Sequence, residues 1–136
     1  MTGATRVNPS LCRAYRMTRY TVDGITVRIG RRSAGIDRLL RVYNHREGAF
    51  VTAYNPFSRR MPPGWNRRMQ TNLVNVLAGR AILPATGCWR RWCESHVVVF
   101  GSFRRTLVLA RRYRQHGIVI VRLRQPARLV YTSLIN

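Results

Sequence analysis

Hydrophobic and polar positions alternate first at Tyr20-Thr21-Val22 and again at Ile25-Thr26-Val27-Arg28-Ile29, on either side of Asp23-Gly24. Asp-Gly between two alternating runs is a strong hairpin signal, because both turn positions need positive φ. Ile25, Val27 and Ile29 then face a core. Ser33 is placed to cap a helix in which Ile36, Leu39, Leu40 and Tyr43 follow the i, i+3, i+4, i+7 rule. Gly48 opens Ala49–Tyr54, an almost wholly apolar run that predicts a central strand, and Asn55-Pro56 ends it. Residues 57–65 read as a loop. A second helix runs from there to about Arg80 and buries Met69, Leu73, Val76 and Leu77. Asn66 and Gln70 fall on or beside that stripe, so two amides aim at the sheet.

Ala81–Pro84 reads as a short edge strand, demoted by its proline. A loop through Gly87 and Trp89-Arg90-Arg91-Trp92 follows, then a buried strand in Val97–Phe100. Ser102 caps a third helix whose apolar face carries Phe103, Thr106, Leu107, Leu109, Ala110 and Tyr113. Residues 117–121 and 127–132 close the chain as strands. The sum is an α+β domain over residues 15–136: a mixed or largely antiparallel sheet of five to seven strands covered by about three helices. Residues 1–14 lack periodicity and are expected to form a flexible basic arm.

Composition changes the picture through charge. The 136 residues carry 25 basic side chains, all arginine, against four acids, for a net charge of +21. GC-rich coding would account for arginine over lysine, but not for the scarcity of Asp23, Asp37, Glu47 and Glu94. Such a field attracts RNA or another polyanion, or an acidic protein partner. The arginines expected to meet it are Arg59, Arg60, Arg67 and Arg68, together with Arg104, Arg105, Arg111 and Arg112 on the third helix. There two pairs stand about 10 Å apart along the axis. Trp89-Arg90-Arg91-Trp92 interleaves flat rings with guanidiniums, as single-strand binders do. Trp92 is expected in the core, whereas Trp89 either covers a loop or stacks on a base.

Cys12, Cys88 and Cys93 are an odd number without an N-terminal signal pattern, which fits free thiols in a reducing, cytoplasmic setting. Cys88, Cys93 and His96, with Cys12 or His116, would make a zinc set, but the spacing follows no recognised pattern, and no metal or cofactor is expected. No membrane-length apolar run occurs, and no oligomeric state is implied. Asn55, Asn66, Glu94 and Gln115, with Thr52, stand at ends of elements where loops converge. They are either structural ties or a small polar site for an enzyme or a binder of a nucleotide-like ligand. Glu94 and His96 share a strand face and are the candidate catalytic pair. No hydrolase-triad, metalloprotease or phosphate-loop motif is present.

Several short motifs occur together in one order. They are Thr18-x-Tyr20, Phe50-Val51-Thr52-Ala53-Tyr54-Asn55-Pro56 with Ser58, Asn66-Arg67-Arg68, Gly87, Trp92-x-Glu94-Ser95, and Ala110 with Tyr113-x-Gln115 ahead of Ile118-Val119-Ile120. Over roughly residues 15–131 the chain resembles a bacterial family known as domain of unknown function 3293. The resemblance implies shared descent and supplies no chemistry.

Overall fold

In the computed structural model, which describes residues 9–134, the alternating stretches become seven strands of one antiparallel sheet, curled into a half-barrel. The elements are α1 (Pro9–Met17), β1 (Arg19–Val22), β2 (Ile25–Val27), α2 (Ala34–Val42), β3 (Glu47–Val51), α3 (Pro63–Val76), β4 (Ile82–Trp89), β5 (Trp92–Phe100), α4 (Phe103–Arg112), β6 (Gly117–Arg122) and β7 (Arg128–Tyr131). Strand order is β2-β1-β4-β5-β3-β6-β7. The two edges meet just past β2 and just before β7, where Gly30 N–H donates to the Ala127 carbonyl (2.7 Å) and Ala127 N–H to the Arg31 carbonyl (3.1 Å).

Both faces of this sheet are covered, so its central strands are apolar on both sides. The inner core joins Tyr20, Val22, Val27, Phe50, Val98, Val119 and Ala127 with Ile36, Leu39 and Leu40 of α2. The outer core joins Ala49, Val51, Val97, Val99, Ile118 and Ile120 with Leu73 and Leu77 of α3 and Leu107, Leu109 and Ala110 of α4. Local chemistry agrees with the sequence in several places. Asp23 and Gly24 take φ of 49° and 75° in the first hairpin. The Ser33 hydroxyl accepts from Ile36 N–H at 3.1 Å, and Ser102 accepts from Arg104 N–H at 3.4 Å.

Five expectations need correction. Of the arm expected over residues 1–14, residues 1–8 lie outside the described residues, and the chain is helical from Pro9. The second helix begins at Pro63, inside the expected loop, because proline at the first helical position sacrifices no hydrogen bond. It ends at Val76, which is 55% exposed and not part of the buried stripe. Ala81–Pro84 is no edge: β4 is eight residues long and lies between β1 and β5. Pro84 is tolerated because β1 reaches only to Ala85, so at Pro84 the strand has a neighbour on the β5 side alone. The Gly87–Trp92 loop is instead the tip of the β4–β5 hairpin, turning at Arg90-Arg91 with Trp89 opposite Trp92.

Candidate functional site

Beyond Val51 the chain leaves the β3 ladder, and its backbone is held by side chains. The Thr52 hydroxyl donates to the Ser95 carbonyl (2.6 Å) and accepts from Tyr54 N–H (3.0 Å). From α3, which runs alongside, Gln70 Oε1 accepts from Ala53 N–H (2.9 Å) and Asn66 Oδ1 from Asn55 N–H (3.0 Å). The two amides that the helical period aims at the sheet are therefore main-chain partners of residues 53–55.

Asn55 sits at φ 47°, and Phe57 and Ser58 also have positive φ. Asparagine accepts this left-handed conformation readily and an aromatic residue does not. The segment is fixed by hydrogen bonds from Phe57 N–H to the Arg114 carbonyl (2.7 Å) and from Ser58 N–H to the Asn55 carbonyl (2.9 Å). So placed, Asn55 becomes the hub of a chain of polar contacts. Its Oδ1 accepts from Met61 N–H and from Asn66 Nδ2, both at 2.9 Å, and its Nδ2 donates to Glu94 Oε2 at 2.7 Å. The Trp92 indole N–H donates to the same oxygen at 3.0 Å, and the Arg60 guanidinium lies 4.7 Å from the Trp92 ring centre. Because backbone partners fix the orientation of each amide, the polarity of the whole chain of contacts is determined.

These groups wall a cavity of about 360 Å³ at the mouth of the half-barrel. Thr52, Asn55, Glu94, His96 and Gln115 all line it, with Tyr15, Tyr20, Trp89 and Trp92 supplying aromatic walls and Arg60 standing at its lip. Asn66 stands behind Asn55 and holds it. The carboxylates are divided by task. Asp23 is in the hairpin turn, Asp37 accepts from Arg124 N–H (3.0 Å), and Glu47 accepts from the first N–H of α4 (2.8 Å) and from Arg122 (3.2 Å). Glu94 is the carboxylate at the cavity.

The expected Glu94–His96 pair shares a face, but the contact between them is through the main chain. His96 Nδ1 lies 3.1 Å from the Glu94 carbonyl, an acceptor only, so Nδ1 carries the proton and Nε2 is left as the basic nitrogen. Burial lowers the pKa of His96 below the ordinary value of 6.5, keeping the ring neutral at pH 7. The ring stands edge-on to Tyr20 (centroids 5.6 Å apart) and against Gly87, where a Cβ would come within 2.7 Å of Cε1. Burial also raises the Tyr15 and Tyr20 phenols far above their usual value of 10.0, so both remain hydroxyls.

Gln115 follows the end of α4. Its Nε2 donates to the Tyr54 carbonyl (3.0 Å) and the Tyr113 carbonyl (3.3 Å), tying the α4–β6 corner to the Asn55 segment. Next to it His116 packs on Phe57 (centroids 5.2 Å apart), and its Nδ1 is buried with no partner among the described residues. Thus positions 52, 55, 94, 96 and 115 meet around one space. Sequence reasoning misses Tyr15, although Leu11, Ala14, Tyr15 and Thr18 have helical i, i+3, i+4, i+7 spacing and all line the cavity.

Two expectations are overturned here. Cys88 and Cys93 are not free thiols: directly opposed across the hairpin, with Cα atoms 4.1 Å apart, they form a disulfide. Cys12 is a free thiol. The zinc alternative loses two of its ligands, and no group of three potential ligands occurs among the described residues. Trp92 is not in the core; it is 42% exposed at the cavity rim. The arginines expected to meet a polyanion divide in two. Arg59, Arg60, Arg90 and Arg91 are exposed on the loop and hairpin near the cavity, where Arg90 also lies 4.9 Å from the Trp89 ring. Arg67 and Arg68 on α3 and Arg104, Arg105, Arg111 and Arg112 on α4 are exposed over the outer face.

Fold and site together define an α+β protein built on an antiparallel half-barrel with a walled cavity at its mouth. Within that class, the chain belongs to the family described as Protein of unknown function (DUF3293), which matches residues 51–118. That segment contains the Thr52, Asn55, Asn66, Glu94, His96 and Gln115 constellation but not Tyr15 or Tyr20. The chain matches no curated protein and no solved structure. No helix among the described residues is long and apolar enough to cross a membrane.

Proposed function

We propose that the protein binds a small two-part molecule, with a planar ring inside the cavity and an anionic group at the arginine-bearing lip, as in a nucleotide. The observation that carries this is the meeting of Thr52, Asn55, Glu94, His96 and Gln115 around one aromatic-walled space of about 360 Å³. That volume falls in the range of small-molecule sites. Charge sets the polarity of the ligand. A +21 chain draws anions from a distance, while the Glu94 carboxylate at the cavity repels them. An uncharged ring therefore enters, and the phosphate stays outside with Arg60. Thermal unfolding with added nucleoside monophosphates and nucleosides tests the reading. Monophosphates raise the melting temperature by mass action and nucleosides do so less, and Arg60→Gln narrows the difference between them. Absence of any shift at millimolar ligand overturns the proposal.

A second reading is favoured by the outer face. There α3 and α4 lie together on the sheet, linked by the Tyr113 hydroxyl donating to Asn72 Oδ1 at 3.0 Å. They carry the exposed arginines noted above. Such a face suits RNA or another polyanion. Filter binding across a salt series should then show log K falling steeply with log salt. A triple change of Arg104, Arg105 and Arg112 to Gln should flatten the slope by about 0.9 for each phosphate that is no longer neutralised. A slope near zero rejects this reading, and capture of an acidic protein that survives nuclease treatment replaces it.

A further inference from the structure

The hydrogen-bond inventory of the cavity narrows what the ring must offer; this inference rests on the two-part ligand reading just proposed. Several side-chain donors at the site already have partners within the protein. Asn55 Nδ2 is used by Glu94, Asn66 Nδ2 by Asn55, Trp92 Nε1 by Glu94, and Gln115 Nε2 by two carbonyls. The Thr52 hydroxyl donates to Ser95, and His96 Nδ1–H to the Glu94 carbonyl.

The Tyr15 and Tyr20 hydroxyls, Trp89 and Arg60 also line the cavity, and beside them stands a set of acceptors. Both donors to Glu94 converge on Oε2, so Oε1 has no protein partner among the described residues. Gln115 is only 6% exposed, lines the cavity and uses its amide nitrogen alone, leaving Oε1 in the same condition. His96 retains Nε2 as a lone-pair nitrogen, and its depressed basicity keeps it an acceptor rather than a cation. The amide orientations on which this accounting depends are forced. Gln115 Nε2 faces two carbonyls and Asn55 Oδ1 faces the Met61 N–H, so neither amide reverses without losing both partners.

Acceptors that a bound ligand covers without pairing are costly, so a ligand that meets them with N–H groups is selected over one that does not. We infer that the cavity reads the donor edge of a guanine-type base, where a ring N–H and an adjacent amino group stand side by side and meet Glu94 Oε1 and its neighbouring acceptors. Adenine presents one amino group beside an acceptor nitrogen, and hypoxanthine keeps the ring N–H but lacks the amino group. The preference therefore runs guanine over hypoxanthine over adenine. Hypoxanthine loses one donor group, at about tenfold. Adenine has the same number as hypoxanthine but also sets an acceptor nitrogen against the acceptors of the site.

Titration calorimetry at pH 7.5 with GMP, IMP and AMP tests this order on the full chain. The expected result is GMP tighter than IMP by about tenfold, and AMP weaker again. The Glu94→Gln variant keeps an oxygen for Asn55 and Trp92 while turning an amide N–H₂ toward the ligand. It should lose most of the preference for GMP over AMP, with its melting temperature confirming that it folds. Equal binding of GMP and AMP, or tighter AMP, overturns the donor-edge inference and leaves the two-part ligand reading standing. Failure of all three nucleotides to bind overturns both. An unchanged GMP preference in a folded Glu94→Gln protein removes Glu94 as the reader and overturns the inference.

Discussion

Gly87 faces the imidazole of His96 across the β4–β5 pair, and the space between them has no room for a methyl group. A Cβ at position 87 would stand 2.7 Å from Cε1 and 3.2 Å from both ring nitrogens of His96. Gly87→Ala therefore forces the ring to tilt against Tyr20 and to lengthen its 3.1 Å hydrogen bond to the Glu94 carbonyl. Overpacking costs about 1–3 kcal/mol, and the weakened hydrogen bond adds about 1 kcal/mol. Replacing glycine in a strand returns about 0.5–1 kcal/mol of backbone entropy. The net expectation is a loss of about 1–3 kcal/mol, or a fall in melting temperature of roughly 4 °C per kcal/mol for a chain of this size. Urea or thermal denaturation followed by tryptophan fluorescence measures it. The informative comparison is the double variant Gly87→Ala, His96→Ala, in which the methyl group occupies the vacated ring space. The two changes should be non-additive by at least about 1 kcal/mol. A Gly87→Ala protein as stable as the parent, or strictly additive effects, would refute the packing argument.

Asn55→Ala removes the acceptor of Met61 N–H and of Asn66, leaves Glu94 with one donor, and puts alanine at positive φ. Chemical denaturation should show a loss of about 3 kcal/mol, and a loss below about 1 kcal/mol contradicts the hub assignment. His96 has a folded-state pKa depressed below 6.5, so its contribution to stability is complete above that value and is lost as pH falls through the lower folded pKa. Melting temperatures from pH 8 to pH 5 should therefore drop more steeply for the parent than for His96→Phe, and parallel curves would deny the burial effect. Reduction of Cys88–Cys93, which closes a loop five residues apart in sequence, should cost at most about 2 kcal/mol because the hairpin already opposes the two residues. A Cys88→Ala, Cys93→Ala protein should show no response to dithiothreitol in the same thermal assay, and a response equal to the parent's would place the effect elsewhere.

What can be read from the chain alone follows from local chemistry. The Asp23-Gly24 turn, the Ser33 and Ser102 caps, the buried face of α4 and the central place of β3 each depend on neighbours in sequence, and each is legible. So is the polar group at 52, 55, 66, 94 and 115, because amides on an apolar helix stripe and a rare carboxylate beside a strand call for partners. The misses share a different cause. Pro84 looks like an edge signal because nothing local shows that β1 stops one residue short of it. Cys88 and Cys93 face one another only once the hairpin turns at Arg90-Arg91, which is a matter of register and not of spacing. Helix α1 is hidden by the arginines around Leu11, Ala14 and Tyr15, although its apolar period is present. Trp92 belongs in the core on hydrophobicity alone, but its N–H has a carboxylate to meet at the rim.

The conformation and sequence around Asn55 bear on how this protein ages. Asparagine is usually lost when the next residue's main-chain nitrogen attacks the side-chain carbonyl, expels ammonia and leaves an aspartate or its isomer. At position 55 that attacking nitrogen belongs to Pro56, which has no N–H to give up, so this route is closed. By that route no second negative charge arises beside Glu94 Oε2, to which Asn55 Nδ2 donates at 2.7 Å.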